Sequence, residues 1–259
     1  MPSKDKNKCS IKSKFEENIY NLRNNDNKKI DFSKYEIIEK NKEQNLIIYK
    51  CSNLERISNH KLVYQYFYDK FDDNDYKNAY IVLFCGAMGV GKCTAINALF
   101  NIIKGIELED AYRFILNYEP NKMKNQIASK NHGVHLYYLK DYNNQPIILI
   151  NINDFFNAND NIEYDIMVNE SFNFIFSSLI DHINTICFLV NSHSNKLDIK
   201  TKYIFSSVAC LFSKDINENC IILSTFANKD TMTKGPDFIE SIKTDLDFLK
   251  IKDRMNDKW

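Results

Sequence analysis

Lys92 follows three glycines gathered within six residues, and that grouping is the clearest sign of chemistry in the chain. The stretch reads Gly86-Ala87-Met88-Gly89-Val90-Gly91-Lys92-Cys93-Thr94, a G-x-x-x-x-G-K pattern with cysteine where serine or threonine is usual. The chain has only six glycines in 259 residues, so half of them fall where the backbone must take conformations that other residues resist. Such a loop aims successive N–H groups into one concavity, and the helix that follows adds the positive end of its dipole. An ordinary strand-to-helix corner needs neither the three glycines nor the lysine. The residues expected to meet a nucleotide are Gly86, Met88, Gly89, Val90, Gly91, Lys92, Cys93 and Thr94, with Lys92 neutralising the β- and γ-phosphates and so assigned a catalytic part. Cys93 is the departure. The usual hydroxyl coordinates magnesium, a hard cation that prefers oxygen, and a soft thiol is a poor substitute. Thr94 supplies a hydroxyl one residue later in another direction, toward the α-phosphate. Nucleotide binding is expected to be retained and magnesium coordination weakened.

The pattern needs a strand before it and a helix after it. Ala79 to Cys85 is a short apolar run that predicts the strand, and the helix is predicted to run through Ile103. Val134 to Leu139 and Pro146 to Ile152 predict two strands joined by a short reversal at Asn143-Asn144. That connection is too short for a crossover, so one antiparallel hairpin is expected. Glu170 to His182 reads as helix, Thr185 to Val190 as buried strand, Asp198 to Phe212 as helix and Cys220 to Thr225 as strand. Pro236 to Leu249 predicts a last helix with proline at its start. Strands alternating with helices imply a mostly parallel sheet covered on both faces, a three-layer α/β P-loop domain over residues 76–259.

The residues before that domain read differently. Residues 1–34 are rich in Lys, Asn and Ser with few apolar positions, a basic tail expected to be disordered. Residues 35–75 form an extension. Within it Leu54, Ile57, Lys61, Tyr64, Phe67 and Phe71 recur at three- and four-residue intervals, which predicts an amphipathic helix over Leu54 to Phe71. Asp72-Asp73-Asn74-Asp75 closes that segment.

Composition narrows the classes. Lys+Arg and Asp+Glu balance at 34 each, which gives no support for nucleic-acid binding. The seven cysteines show no C-x-x-C spacing, and several lie in apolar runs, as expected of reduced thiols inside a cell. No run reaches the roughly 18 apolar residues of a membrane helix, and the N-terminus lacks a secretory core. A cytoplasmic protein is expected, with peripheral membrane contact left open by the basic tail. His132 and His135 form H-x-x-H without the helical spacing that suits zinc.

The helix segment GKCTAINALFNIIKG resembles that of septin-like and GIMAP-like (immunity-associated) GTP-binding domains. The segments IELEDAYRFIL, NTICFLVNSHSNKLDIKTKYIFSSVACLF and CIILSTFAN resemble members of the same group, over roughly Tyr80 to Phe238. The resemblance implies a guanine-nucleotide-binding G domain with GTP or GDP as ligand and Mg2+ at a weakened site. It implies that Asp154, leaving the strand IILINI, reaches that ion, with Cys93 and Ser129 as poorer candidate ligands. Asn157 stands where a glycine meets the γ-phosphate in the family, and Ala158 where an attacking water is oriented, so hydrolysis is expected to be slow. Asn228 and Asp230, in FANKDT, are the candidates for reading the base, with the aspartate one place early against N-K-x-D. The family continues into a last strand and closing helix that the sequence through Trp259 does not display.

The resemblance implies a slow GTPase acting as a nucleotide-dependent switch or an oligomerising module, assembling as a homo-oligomer through its nucleotide face. The alternatives are a non-catalytic G domain serving as a scaffold, and an ATP-binding P-loop protein.

Overall fold

The computed structural model describes residues 30, 32–41, 46–51, 55–116, 133–153, 162–193, 197–212 and 219–227. They form two compact units, Met1–Asn53 with Leu99–Tyr118, and Leu54–Ala98 with Glu119–Trp259.

The first unit holds a three-stranded sheet in the order β1-β2-β6, from β1 (Tyr35–Asn41), β2 (Leu46–Cys51) and β6 (Tyr112–Ile115). β1 and β2 are antiparallel, and β2 pairs with β6 in parallel. Rings of Phe32, Tyr35, Tyr49 and Phe114 cluster on it, with Tyr35 and Phe114 centroids 4.0 Å apart. Asn101 holds both backbone groups of Phe114, accepting from its N–H and donating to its carbonyl, each at 2.8 Å.

The second unit carries a seven-stranded sheet in the order β10-β9-β5-β8-β7-β4-β3. Its strands are β3 (Glu55–His60), β4 (Val63–Phe67), β5 (Tyr80–Cys85), β7 (Gly133–Lys140), β8 (Pro146–Asn153), β9 (Thr185–Asn191) and β10 (Cys220–Thr225). Parallel pairing joins β10 to β9, β9 to β5, β5 to β8 and β7 to β4. β7 and β8 form the expected antiparallel hairpin. Its turn is held by the Asp141 carboxylate, which accepts from the N–H groups of Asn143 and Gln145, while Asn144 takes φ 63°. Asparagine tolerates that left-handed conformation better than most residues.

The helices are α1 (Asp73–Asn78), α2 (Lys92–Ile103), α3 (Ile162–Ser178) and α4 (Ile199–Leu211). Phe172 and Ile175 of α3 and Ile204, Phe205 and Val208 of α4 join one core with Ile81, Leu83, Val134, Leu136, Ile150 and Phe188 of the sheet. The alternate strand positions Val82, Phe84, Tyr137, Leu149 and Leu189 are buried as well. Burial on both faces is why these strands read as continuous apolar runs rather than as alternation. The fold is thus the layered α/β arrangement expected, with a mostly parallel sheet.

The amphipathic helix expected over Leu54 to Phe71 is not formed: that segment is the hairpin β3–β4, added to the sheet beyond β7. A turn at Lys61-Leu62 interrupts the helical spacing, and Tyr64, Tyr66 and Phe67 are residues that fit a pleated surface. Tyr66 stacks on His135 and on Tyr137 across the strand pair, and Phe67 on Tyr138 at 4.4 Å. The acidic boundary segment is itself structured. Asp72 caps α1 by accepting from Asn74 and Asp75 N–H groups, and the Asp75 carboxylate accepts from the Asp72 N–H. The helix predicted from Glu170 to His182 starts earlier and ends at Ser178. The predicted Pro236 to Leu249 helix lies outside the described residues, as does nearly all of the basic tail.

Candidate functional site

β5 lies between β8 on one side and β9 on the other, where the strand order reverses. In open α/β sheets the crevice at such a reversal, beyond the carboxyl ends of the strands, is where ligands bind. The glycine loop occupies this place, between Cys85 at the end of β5 and Lys92 at the start of α2.

Two glycines there are required by geometry. Gly86 has φ +150°, and a Cβ on it would lie 2.7 Å from the Leu189 carbonyl oxygen of β9. Gly91 has φ +96°, a conformation that strains any side-chain-bearing residue. With these turns the chain bends back on itself, and Val90 N–H donates to the Ala87 carbonyl. Lys92 is only 6% exposed. Its ammonium donates to the carbonyls of Gly86 at 2.7 Å and Ala87 at 3.0 Å. A buried cation needs such acceptors. The lysine therefore ties the two ends of the loop together and fixes a positive charge inside it. The first intrahelical bond of α2 runs from Ala95 N–H to the Gly91 carbonyl at 2.9 Å, so the amides of the first turn face out of the helix end. Amides, helix dipole and ammonium converge, which is a setting for an anion.

Cys93 lies half-buried in the first turn of α2, and the side-chain amide of Asn151 on β8 donates to its sulfur at 3.8 Å. Asn151 is fully buried opposite Phe84 of β5. A thiol is a soft donor, poorly matched to a hard ion, and among the described residues no cluster of three His, Cys, Asp or Glu side chains could hold a metal.

Thr225, the last residue of β10, lies beside the loop. Its hydroxyl is 2.7 Å from the Val90 carbonyl and 3.0 Å from the Val190 carbonyl of β9. Its own carbonyl accepts from Ser192 N–H at 3.0 Å. On the other flank, Ala87, Met88, Gly89 and Val90 border a hollow of about 180 Å³ closed by Val190, Asn191, Leu197, Asp198 and Thr201. The Asp198 carboxylate there caps α4 by accepting from Thr201 N–H at 2.7 Å. Its negative charge disfavours an anion beside it in this hollow.

Of the residues predicted from sequence, Gly86, Met88, Gly89, Val90, Gly91, Lys92, Cys93 and Thr94 are brought together in one loop and helix start. Ser129, Asp154, Asn157, Asn228 and Asp230 lie outside the described residues. Asn151 and Thr225 were not predicted. Asn151 carries a signal that could have found it, as a polar residue inside the apolar strand run IILINI. Thr225 is an ordinary strand residue by type. His135 is a packing residue: its ring is buried, stacks on Tyr64 and lies 3.2 Å from the Tyr66 hydroxyl. Among the described residues no helix is long and apolar enough to cross a membrane.

No protein-family model matches the chain, and no curated protein does. Among solved structures it is similar to Toc33 from Arabidopsis thaliana in complex with GDP and Mg2+, at 13% identity and TM-score 0.46, covering 70% of this chain and 69% of that one. It is also similar to a dimerization-deficient mutant of Toc33, at 14% identity and TM-score 0.47, covering 68% of this chain and 65% of that one. The complex of Toc33 with Mg2+ and GMPPNP gives 14% identity and TM-score 0.46 over the same shares, 68% and 65%. At this distance the likeness says nothing of ligand, activity or partner.

Proposed function

We propose that the protein binds a guanine nucleotide, with the phosphates seated on the Gly86–Gly91 loop and the first turn of α2. The observation that carries this reading is Lys92, buried with its ammonium bridging the Gly86 and Ala87 carbonyls at the mouth of a glycine-built turn. The guanine assignment comes from the sequence resemblance to septin-like and GIMAP-like domains, in which Asn228 and Asp230 take the base-reading place. Any hydrolysis is slow: water would attack the γ-phosphorus, the bond to the β–γ bridging oxygen would break, and GDP and phosphate would leave. Lys92 offsets the charge that builds on the phosphates. By the sequence resemblance, Asn157 is the candidate for γ-phosphate contact. Asp154, with Cys93 and Ser129 as poorer candidates, would hold Mg2+ at a weakened site, where the ion would offset phosphate charge. The protein works as a cytoplasmic switch or an oligomerising module through this face.

A second reading, a non-catalytic G domain serving as a scaffold, is favoured by the Cys93 thiol and its Asn151 contact. Nucleotide released from the purified protein by denaturation and resolved by chromatography tests both. GTP or GDP is the expected content, and hydrolysis of added GTP divides the switch from the scaffold. Adenine nucleotide in the released fraction would move the assignment to an ATP-binding protein.

A further inference from the structure

We infer that Thr225 is a positioning residue that aims the phosphate loop, by fixing the peptide between Val90 and Gly91. This rests on the phosphate-binding reading of that loop. The argument starts from the peptide unit. The chain has no cis peptide bonds among the described residues, and in a trans peptide the carbonyl and the following N–H point in opposite directions in one plane. The Thr225 hydroxyl lies 2.7 Å from the Val90 carbonyl. With that carbonyl held toward β10, the Gly91 N–H is turned away from β10 and into the loop. Gly91 alone among the two residues of this peptide can accept the rotation, since its φ is +96°.

The latch is fastened from behind. Thr225 ends β10, which pairs in parallel with β9 through Thr225 and Asn191. Its hydroxyl is also 3.0 Å from the Val190 carbonyl, and its carbonyl accepts from Ser192 N–H at 3.0 Å. The hydroxyl proton is thus placed between one strand carbonyl and one loop carbonyl, while the strand ladder prevents the residue from following the loop if it moves. The threonine methyl lies against Gly91, where an added Cβ would meet Cγ2 at 3.5 Å. Lys92 secures the start of the loop through Gly86 and Ala87, and Thr225 secures its end through Val90. A donor already aimed at its anion binds without the cost of ordering it, which is where the contribution of Thr225 is expressed.

Three variants of the full chain test this: Thr225→Val, which keeps the branched shape and removes the hydroxyl, Thr225→Ser, which keeps the hydroxyl, and Thr225→Ala. GTP affinity is measured by calorimetry, and inorganic tripolyphosphate is measured as a competitor. Thr225→Val is expected to weaken GTP about tenfold, the scale of one aimed hydrogen bond to a charged group. The same factor is expected for tripolyphosphate, and Thr225→Ser should restore both. Should the valine chain not fold, Thr225→Ala carries the same expectation. Wild-type affinity in the valine or alanine protein, or failure of serine to restore it, overturns the inference. So does a loss confined to GTP with tripolyphosphate unchanged. Wild-type protein that binds neither ligand overturns the phosphate-binding reading as well, an outcome distinct from the others.

Discussion

Lys92 and Cys93 are neighbours in sequence and opposites in chemistry. The lysine is buried and engaged with two carbonyls of its own loop, the acceptors that a buried ammonium needs. The cysteine presents sulfur where oxygen would serve a hard ion. Cys93→Ser is therefore expected to increase the magnesium dependence of nucleotide affinity, read as the ratio of affinities with magnesium and with chelator. An unchanged ratio would place residue 93 away from the ion. Gly86 makes a separate prediction. A methyl at Gly86→Ala would meet the Leu189 carbonyl oxygen at 2.7 Å and would need φ +150°. A loss of about 1–3 kcal/mol is expected in urea unfolding, as for other residues held in unfavourable backbone regions. A loss of only a few tenths would show that the loop can move away from β9.

At the scale of elements, β5, the hairpin β7–β8, β9, α4 and β10 were legible because each is a bounded run with one consistent pattern. Asp198, predicted as the first residue of its helix, caps α4 through Thr201 N–H. Leu54 to Phe71 was misread because its apolar residues satisfy both periods. Val63 and Gln65 are buried while Tyr64 and Tyr66 are half-buried, an alternation of two that sits inside a three-and-four spacing. Only the pairing of β4 with β7 decides between them, and sequence does not carry that long-range contact. β1, β2 and β6 were missed for the same reason, being short strands recognisable through their partners. The site divided likewise. A local cluster such as Gly86–Lys92 was readable, whereas Thr225 stands 135 residues from Val90 and joins it only through the sheet. The Asp72–Asp75 capping box, read from sequence only as a boundary, gives an element-scale prediction. Asp72→Ala should cost about 1 kcal/mol in urea unfolding, in the usual range for a lost N-cap, and an unchanged midpoint would show the short helix α1 to be dispensable.

Across the second unit, the carboxyl ends of β5, β9 and β10 meet at one edge, and the same edge of the sheet carries the glycine loop and Thr225. Behind it the sheet buries the thiols of Cys85 and Cys187 and half-buries that of Cys220. Burial pushes Cys85 well up from the ordinary thiol value of 9.0, and Cys187 and Cys220 up to about 12. Their neutral forms are the ones the fold accepts. Stability from these groups is complete below pH 9.0 and falls as pH rises from 9.0 toward 12, because the unfolded chain releases those protons first. Urea midpoints should therefore drop as pH rises above 9.0, more steeply than in the Cys187→Ala and Cys220→Ala variants. Equal slopes in the variants would contradict burial of the thiols. The central claim, that residues Gly86 to Thr94 hold a polyphosphate, is tested most directly by titrating GTP and ATP into wild-type protein and Lys92→Ala. Saturable binding of GTP, stronger than ATP and lost in Lys92→Ala, is the expected result. Equal binding of GTP by the two proteins would contradict the account.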